Sequence, residues 1–210
     1  MADARPITDV VFDFCGVLVD WQCHCALDGH VDAALVERIC ADDDPCGFFH
    51  YEDLMDGGMR LDDVLPIVER EHGKDIAGIY RYYIEHYGDA LPAMVLGMEG
   101  LLRDLKAAGV HVWGLTNWAE ETFHFAFERF PQLEELLEGT VVSGVERLHK
   151  PEAPIYRLAE ERFSLDPATT AFVDDTAKNV AGAEALGWRG VRFTDADGAR
   201  DALRTLGAAI

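Results

Sequence analysis

Lysine is scarce in this sequence: Lys74, Lys106, Lys150 and Lys178 stand against 39 acidic side chains. Lysine and arginine together number 18, which leaves a formal charge of −21 at pH 7. So acidic a chain repels nucleic acid and anionic membranes at long range, and neither is expected as a partner. It also makes a phosphate-bearing ligand unwelcome unless positive charge is supplied locally. Long apolar runs are missing too: none approaches the ~18–20 residues needed to span a bilayer. The opening MADARPITD has no apolar centre and no cleavage signal, so no secretory peptide is expected and the expected compartment is the cytoplasm. Cysteine is sparse and odd in number, with Cys15, Cys23, Cys25, Cys40 and Cys46 all in the first quarter. That pattern, without a secretory context, does not suggest a disulfide framework. Cys23-His24-Cys25 looks like part of a metal site, but no second Cys/His pair follows at zinc spacing. Packed or partly exposed thiols near a loop are expected instead. His72, His86, His111, His124 and His149 share no ligand spacing, and none is assigned to a metal.

What is present is the pattern of a globular α/β protein. Hydrophobic residues make up 49% of the 210, too many for a disordered chain. Asp9 to Val19 (DVVFDFCGVLV) reads as a buried parallel strand ending in a turn. His111–Leu115, Thr140–Val142, Ala171–Val173 and Gly190–Phe193 read as further strands. Helical patterns lie among them at Gly100–Ala108, Ala119–Phe130, Glu152–Phe163, Ala177–Leu186 and Ala199–Leu206. This alternation predicts a parallel, Rossmann-like sheet with helices on both faces. One stretch breaks it. Val31–Cys40, Phe48–Met55, Leu61–Glu71 and Ile76–Tyr87 all read as helices, punctuated by Asp42-Asp43-Asp44-Pro45 and Gly57-Gly58. The expected organisation is a core of residues 1–19 and 92–210, with an inserted α-helical cap domain at 20–91. Ligands bind at the C-terminal edge of such sheets, so the insertion is placed to act as a lid.

Four segments, each just after an expected strand, carry the candidate chemistry. Asp13, in FDFCGVLVDW, is a carboxylate at the end of a buried strand, which is costly unless a cation pairs with it. The apolar Val17-Leu18-Val19 that follows argues against a simple turn cap. Thr116 and Asn117, in GLTNW, offer hydroxyl, amide and backbone N–H groups to an anion, though both are also ordinary helix caps. Lys150, in HKPEAPIY, lies between strand and helix, where it can reach an anion as a point charge. Asp174 and Asp175, in FVDDTAKNV, point in different directions if the backbone is extended. One can then bind a cation directly and the other through water, and such oxygen ligands favour Mg²⁺. The alternative for this pair is acidic capping of the next helix.

These segments, in this order and with a helical insertion after the first strand, resemble the haloacid dehalogenase-like superfamily over nearly the whole chain. The phrases TNWAEETF, KPEAPIYRLAEERF and FVDDTAKNVAGAEALG are similar to small bacterial phosphatase-like members, some of them glucose-1-phosphatase-like. The resemblance implies Asp13 as nucleophile, Thr116 and Asn117 as holders of a phosphate oxygen, and Lys150 as partner of both Asp13 and phosphate. It implies Mg²⁺ bound by Asp13, the backbone carbonyl of Cys15 and Asp175, with Asp174 close by. The implied reaction is hydrolysis of a small phosphorylated metabolite, a sugar phosphate for instance, through an aspartyl-phosphate.

One position departs from that pattern. Most phosphatases of the superfamily carry a second Asp two residues after the nucleophile, as proton donor and later base; here Cys15 stands there. A thiol cannot replace a carboxylate base near pH 7, although it could be a weak proton donor. Three readings follow. The first is a phosphatase with a good leaving group or another proton carrier. The second is a slow or inactive relative that binds a phosphorylated ligand or partner. The third is a 2-haloacid dehalogenase, against which the Asp174-Asp175 pair argues. Candidates for the substrate pocket are Trp21, Met55, Arg60 and Trp118; the two tryptophans equally suit packing between core and cap. A monomer or small homo-oligomer is expected.

Overall fold

The computed structural model describes residues 5–210. Residues 1–4 lie outside it, and with them the first part of the opening segment read above. In chain order the elements are β1 (Asp9–Phe12), β2 (Val19–Asp20), α1 (Ala33–Ile39), α2 (Phe48–Asp56), α3 (Leu61–His72), α4 (Lys74–Glu85) and β3 (Ala93–Met94). There follow α5 (Met98–Ala107), β4 (His111–Thr116), α6 (His124–Arg129), α7 (Pro131–Leu136), β5 (Thr140–Val142) and α8 (Ser143–Glu146). The chain continues through α9 (Ala153–Phe163), β6 (Thr170–Asp174), α10 (Ala177–Glu184), β7 (Arg189–Arg192) and α11 (Ala196–Thr205).

Five strands form one parallel sheet in the order β5-β4-β1-β6-β7. Burial on both faces explains the continuous apolar runs. Val10 and Phe12 of β1, Val112 of β4 and Val173 of β6 join one core cluster, which also takes in α5, α7 and α11. Their alternating neighbours Val11, Leu115 and Phe172 join a second cluster on the opposite face, with Ile155, Tyr156 and Ala183 of α9 and α10. The expected α/β architecture is therefore present. β1 lies at the centre with β4 and β6 on either side, so the C-terminal edge at β1 is a topological switch point.

The first strand is shorter than the sequence suggests. It stops at Phe12, and the Phe14 carbonyl then accepts from the amides of Val17, Leu18 and Val19. Gly16 turns this loop with φ +78°, a region that side-chain-bearing residues disfavour. Val19–Asp20 pairs instead with Ala93–Met94 as a two-stranded antiparallel ladder. Between those strands lie α1 to α4, with α3 and α4 turning at Gly73. The α2–α3 turn rests on the core. A Cβ at Gly58 would meet Arg147 Cγ at 2.7 Å and Gly144 O at 3.0 Å.

The expected helix at Ala119–Phe130 is reduced to α6. The Ala119 carbonyl accepts from both Thr122 and Phe123 in a turn, and Trp118 Nε1 donates to Thr122 Oγ1 at 3.0 Å. Pro131 then opens α7, a helix not expected from the sequence. All five cysteines are free thiols, Cys23 and Cys46 buried and the rest partly exposed. Among the described residues, no helix is long and apolar enough to cross a membrane.

Candidate active site

Parallel strands deliver their C-terminal residues to one edge, and the expected motifs arrive there from separate elements. Asp13 follows β1 and stays in register, its amide donating to Val173 O of β6 at 2.9 Å. Asp174 ends β6, and Asp175 opens the turn into α10. Lys150 enters from the loop before α9. Its Nζ lies 2.8 Å from Asp13 Oδ1 and 2.7 Å from Asp174 Oδ2. Lys150 is 2% exposed and Asp174 0%, so this ion pair is a buried one and needs its geometry satisfied. Asp174 meets that need: it also accepts from Asn179 Nδ2 and from the Thr176 amide at 2.7 Å.

Burial pushes the Asp13 carboxyl up to about 6, although the Lys150 ammonium pulls in the opposite direction. For Lys150, burial favours the neutral amine, but Asp13 and Asp174 outweigh it and hold the ammonium above its ordinary value. Ligand oxygens of Asp13, Asp174 and Asp175 lie within 4.8 Å of one another. Three carboxylates against one ammonium leave a formal charge of −2. A hard divalent cation fits both the all-oxygen donor set and that charge.

Asp13, Cys15, Gly16, Asn117, Lys150 and Asp175 line a cavity of about 460 Å³, together with Asp20, Trp21, Thr176, Lys178 and Asn179. Gly16 is required where it is, because a Cβ there would meet Asp175 Oδ2 at 2.7 Å. The Cys15 thiol is pushed well above its usual range, by burial first and by the charge of Asp13 next. It therefore stays protonated.

Other expected site residues stand differently. Asn117 lines the cavity, but its side chain is engaged: Oδ1 accepts from the Lys150 amide at 2.8 Å and Nδ2 donates to Lys150 O at 3.1 Å. Its contact is thus with Lys150. Thr116 is buried at the end of β4, its hydroxyl 3.4 Å from Asn117 O, and is not among the cavity's lining residues. Trp118 is buried in an aromatic cluster with Phe14, Tyr87 and Phe123, away from the cavity lining. Arg60 pairs with the exposed Glu120 and the half-buried Glu121, 3.4 and 3.2 Å away, and does not line the cavity. Glu121 also accepts from the Leu61 amide at 2.7 Å, so this group ties the α2–α3 turn to the core. Met55 is buried among helices, with Tyr80 donating to its sulfur at 3.3 Å.

Sequence reasoning passed over Lys178, a second cation on the cavity wall, and Asn179, which fixes Asp174. Both lie in the FVDDTAKNV phrase itself, and the scarcity of lysine was the available signal for the first. It also passed over Glu52 and Asp56, spaced one helical turn apart on α2.

A family model described as haloacid dehalogenase-like hydrolase matches residues 10–187. The sesquiterpene phosphatase astK of Aspergillus oryzae is 36% identical over 98 residues, 47% of this chain and 50% of that protein. The (S)-2-haloacid dehalogenase 1 of Pseudomonas sp. (strain CBS-3) is 32% identical over 94 residues, 45% of this chain and 41% of that protein. In both cases the matched region spans about half of the relative or less. Among solved structures, the HAD family enzyme bt-2542 of Bacteroides thetaiotaomicron, in complex with magnesium and inorganic phosphate, shares the fold with a TM-score of 0.69. That pair is 21% identical, over 90% of this chain and 95% of the other. With the family model spanning most of the sequence and the fold matching throughout, the chain belongs to the haloacid dehalogenase-like hydrolases.

Proposed function

We propose that this protein is a Mg²⁺-dependent phosphomonoester hydrolase acting on a small phosphorylated metabolite, such as a sugar phosphate, with residues 20–91 as a helical cap over the core. The observation that carries this reading is the placement of Lys150 between Asp13 and Asp174, with Asp175 on the same cavity.

Asp13, Asp175 and the Cys15 carbonyl would hold the cation, with Asp174 beside them. When bound, Mg²⁺ neutralises charge on the nucleophile and on the phosphate. Lys150 is already fixed by Asp174, so it can offer the same ammonium to Asp13 and to a phosphate oxygen without reorganising. Asp13 Oδ attacks phosphorus, the bond to the leaving oxygen breaks, and water then cleaves the aspartyl-phosphate. Asn117 supports this from behind by holding the Lys150 backbone, and Thr116, buried at the end of β4, precedes it in the chain. Trp21 remains the aromatic candidate for contact with the leaving group.

The test is phosphate release from p-nitrophenyl phosphate and a panel of sugar phosphates, with Mg²⁺ and with EDTA. Metal-dependent release is expected, falling on the order of 10³-fold or more in Asp13→Asn. Tight binding of phosphorylated compounds with no turnover would favour a non-catalytic relative. Metal-independent chloride release from 2-chloropropionate would make the chain a dehalogenase.

A further inference from the structure

The proposed reaction lacks a carboxylate proton carrier beside the nucleophile, because position 15 holds a cysteine. The leaving oxygen points away from Asp13 in an in-line displacement, towards the cap. There α2 carries Glu52 and Asp56 one turn apart. Both line a second cavity of about 460 Å³, walled also by Asp42, Asp53 and Phe49. Trp21 lines this cavity and the catalytic one, so the two meet at its ring. The Trp21 indole N–H is buried with no hydrogen-bond partner among the described residues.

Asp56 is the residue by which α2 is fastened to the core. Its backbone carbonyl accepts from Ser143 Oγ at 2.7 Å, and the same hydroxyl accepts from the Trp118 amide at 2.9 Å. Trp118 opens the loop that follows Asn117, so this hydroxyl ties the end of α2 to that loop. Asp13 and Lys150 act electrostatically on Asp56, and Asp56 acts on Cys15. Asp56 thus lines the cavity that adjoins the catalytic one at Trp21, at the end of α2 that is fastened to the core. Glu52 lies a turn farther from that docked end, and its carboxylate is taken by the Tyr83 hydroxyl at 2.7 Å.

We propose that Asp56 of the cap is the general acid and base of this enzyme, in place of the carboxylate that position 15 lacks. The proposal rests on Asp13 being the nucleophile. As the Asp13 Oδ–P bond forms and the P–O bond to the leaving group breaks, the departing oxygen keeps the electron pair and takes the Asp56 proton. The alcohol leaves and Asp56 becomes a carboxylate. That carboxylate then accepts a proton from water as the water oxygen attacks phosphorus. The P–Oδ bond breaks, restoring Asp13, releasing inorganic phosphate and leaving Asp56 protonated for the next cycle. Burial first, and the charge of Asp53 next, push Asp56 up to about 7, so both of its forms are populated near neutrality.

Burst kinetics of Asp56→Asn, a change of equal size that leaves the Ser143 bond to the residue-56 carbonyl in place, test this on two substrates. p-Nitrophenyl phosphate has a leaving group acidic enough to depart unprotonated; a simple alkyl phosphate does not. The expected result with the first is a burst of one p-nitrophenolate per active site, then turnover about 10²- to 10⁴-fold slower than wild type. With the alkyl phosphate no burst is expected, and turnover falls by at least the same factor. Equal losses on both substrates without a burst would mean a structural role, and wild-type turnover on both would mean no role; either result overturns the proposal. In the wild type, kcat/KM across aryl and alkyl phosphates should depend only weakly on leaving-group pKa. A steep dependence overturns the proposal without any variant. Asp13→Asn separates the two levels: if it still turns over, the nucleophile reading fails, whereas a dead Asp13→Asn beside a fully active Asp56→Asn removes only the Asp56 assignment.

Discussion

Asn117 and Lys150 are joined at two points, the Asn117 side-chain oxygen to the Lys150 amide at 2.8 Å and the Asn117 side-chain nitrogen to the Lys150 carbonyl at 3.1 Å. The amide thereby does for an irregular loop what a neighbouring strand does for a sheet, fixing the backbone from which the ammonium extends. Asn117→Ala removes both bonds. Turnover should fall at least about 10-fold, with a stability loss of about 1–3 kcal/mol in denaturant unfolding. Unchanged turnover would mean that the two ion pairs alone hold Lys150 in place.

Lys150→Met strips the counter-charge from two buried carboxylates. Breaking one side of a buried ion pair costs about 3–5 kcal/mol, and the loss should show as a lower urea midpoint in metal-free protein. Added Mg²⁺ should recover part of the midpoint, because it supplies positive charge to the same oxygens. No recovery would argue that the cation binds elsewhere.

Gly16→Ala places a methyl group 2.7 Å from Asp175 Oδ2 on a backbone with φ +78°. The expected effect falls on metal binding before it falls on the fold. Wild type should gain thermal stability with rising Mg²⁺, in proportion to RT ln(1 + [Mg²⁺]/Kd). Gly16→Ala should lose most of that gain while still melting cooperatively. A full Mg²⁺ shift in the variant would remove Asp175 from the set of ligands.

Glu52 gives a pH test of the cap. Burial pushes its carboxyl up to about 8, from an ordinary value near 4.5. A group raised on folding contributes stability that is complete below the unfolded pKa and is lost as pH rises through the folded one. Glutamine keeps an acceptor for the Tyr83 hydroxyl and does not ionise. Glu52→Gln should therefore match wild type near pH 4. At pH 9 it should exceed wild type by on the order of 1–2 kcal/mol, a figure that allows for partial exposure. A constant difference between the two proteins from pH 4 to 9 would contradict this origin.

What could be read from the sequence follows the range of the interactions. The carboxylates at 13, 174 and 175 were legible because a charge after a buried run has few places to go. The parallel sheet was legible because both of its faces are covered, which makes its strands apolar throughout. The early end of β1 was not, because Phe14 gathers three amides in a loop whose sequence is as apolar as the strand. Arg60 looked like a substrate contact from its flexible glycine turn, yet its partners, Glu120 and Glu121, lie 60 and 61 residues away. The role of Asn117 was hidden in the same way by a separation of 33 residues. Glu52 and Asp56 each follow a buried residue of α2, Tyr51 and Met55. Spacing alone cannot tell a carboxylate beside a core stripe from one in a cavity.

The chain enters and leaves the stretch that carries α1 to α4 at the paired strands Val19–Asp20 and Ala93–Met94. Directly opposed residues in such a ladder have Cα atoms roughly 4.5–5.5 Å apart. A foreign helical module whose own ends lie equally close could therefore be grafted at Asp20 and Ala93 without disturbing the strands beneath. On the proposed reading of residues 20–91 as a cap, substrate preference would be exchangeable in a single recombination. If Asp56 is the acid, the donor module would have to bring one of its own, or the recipient would need a carboxylate at position 15.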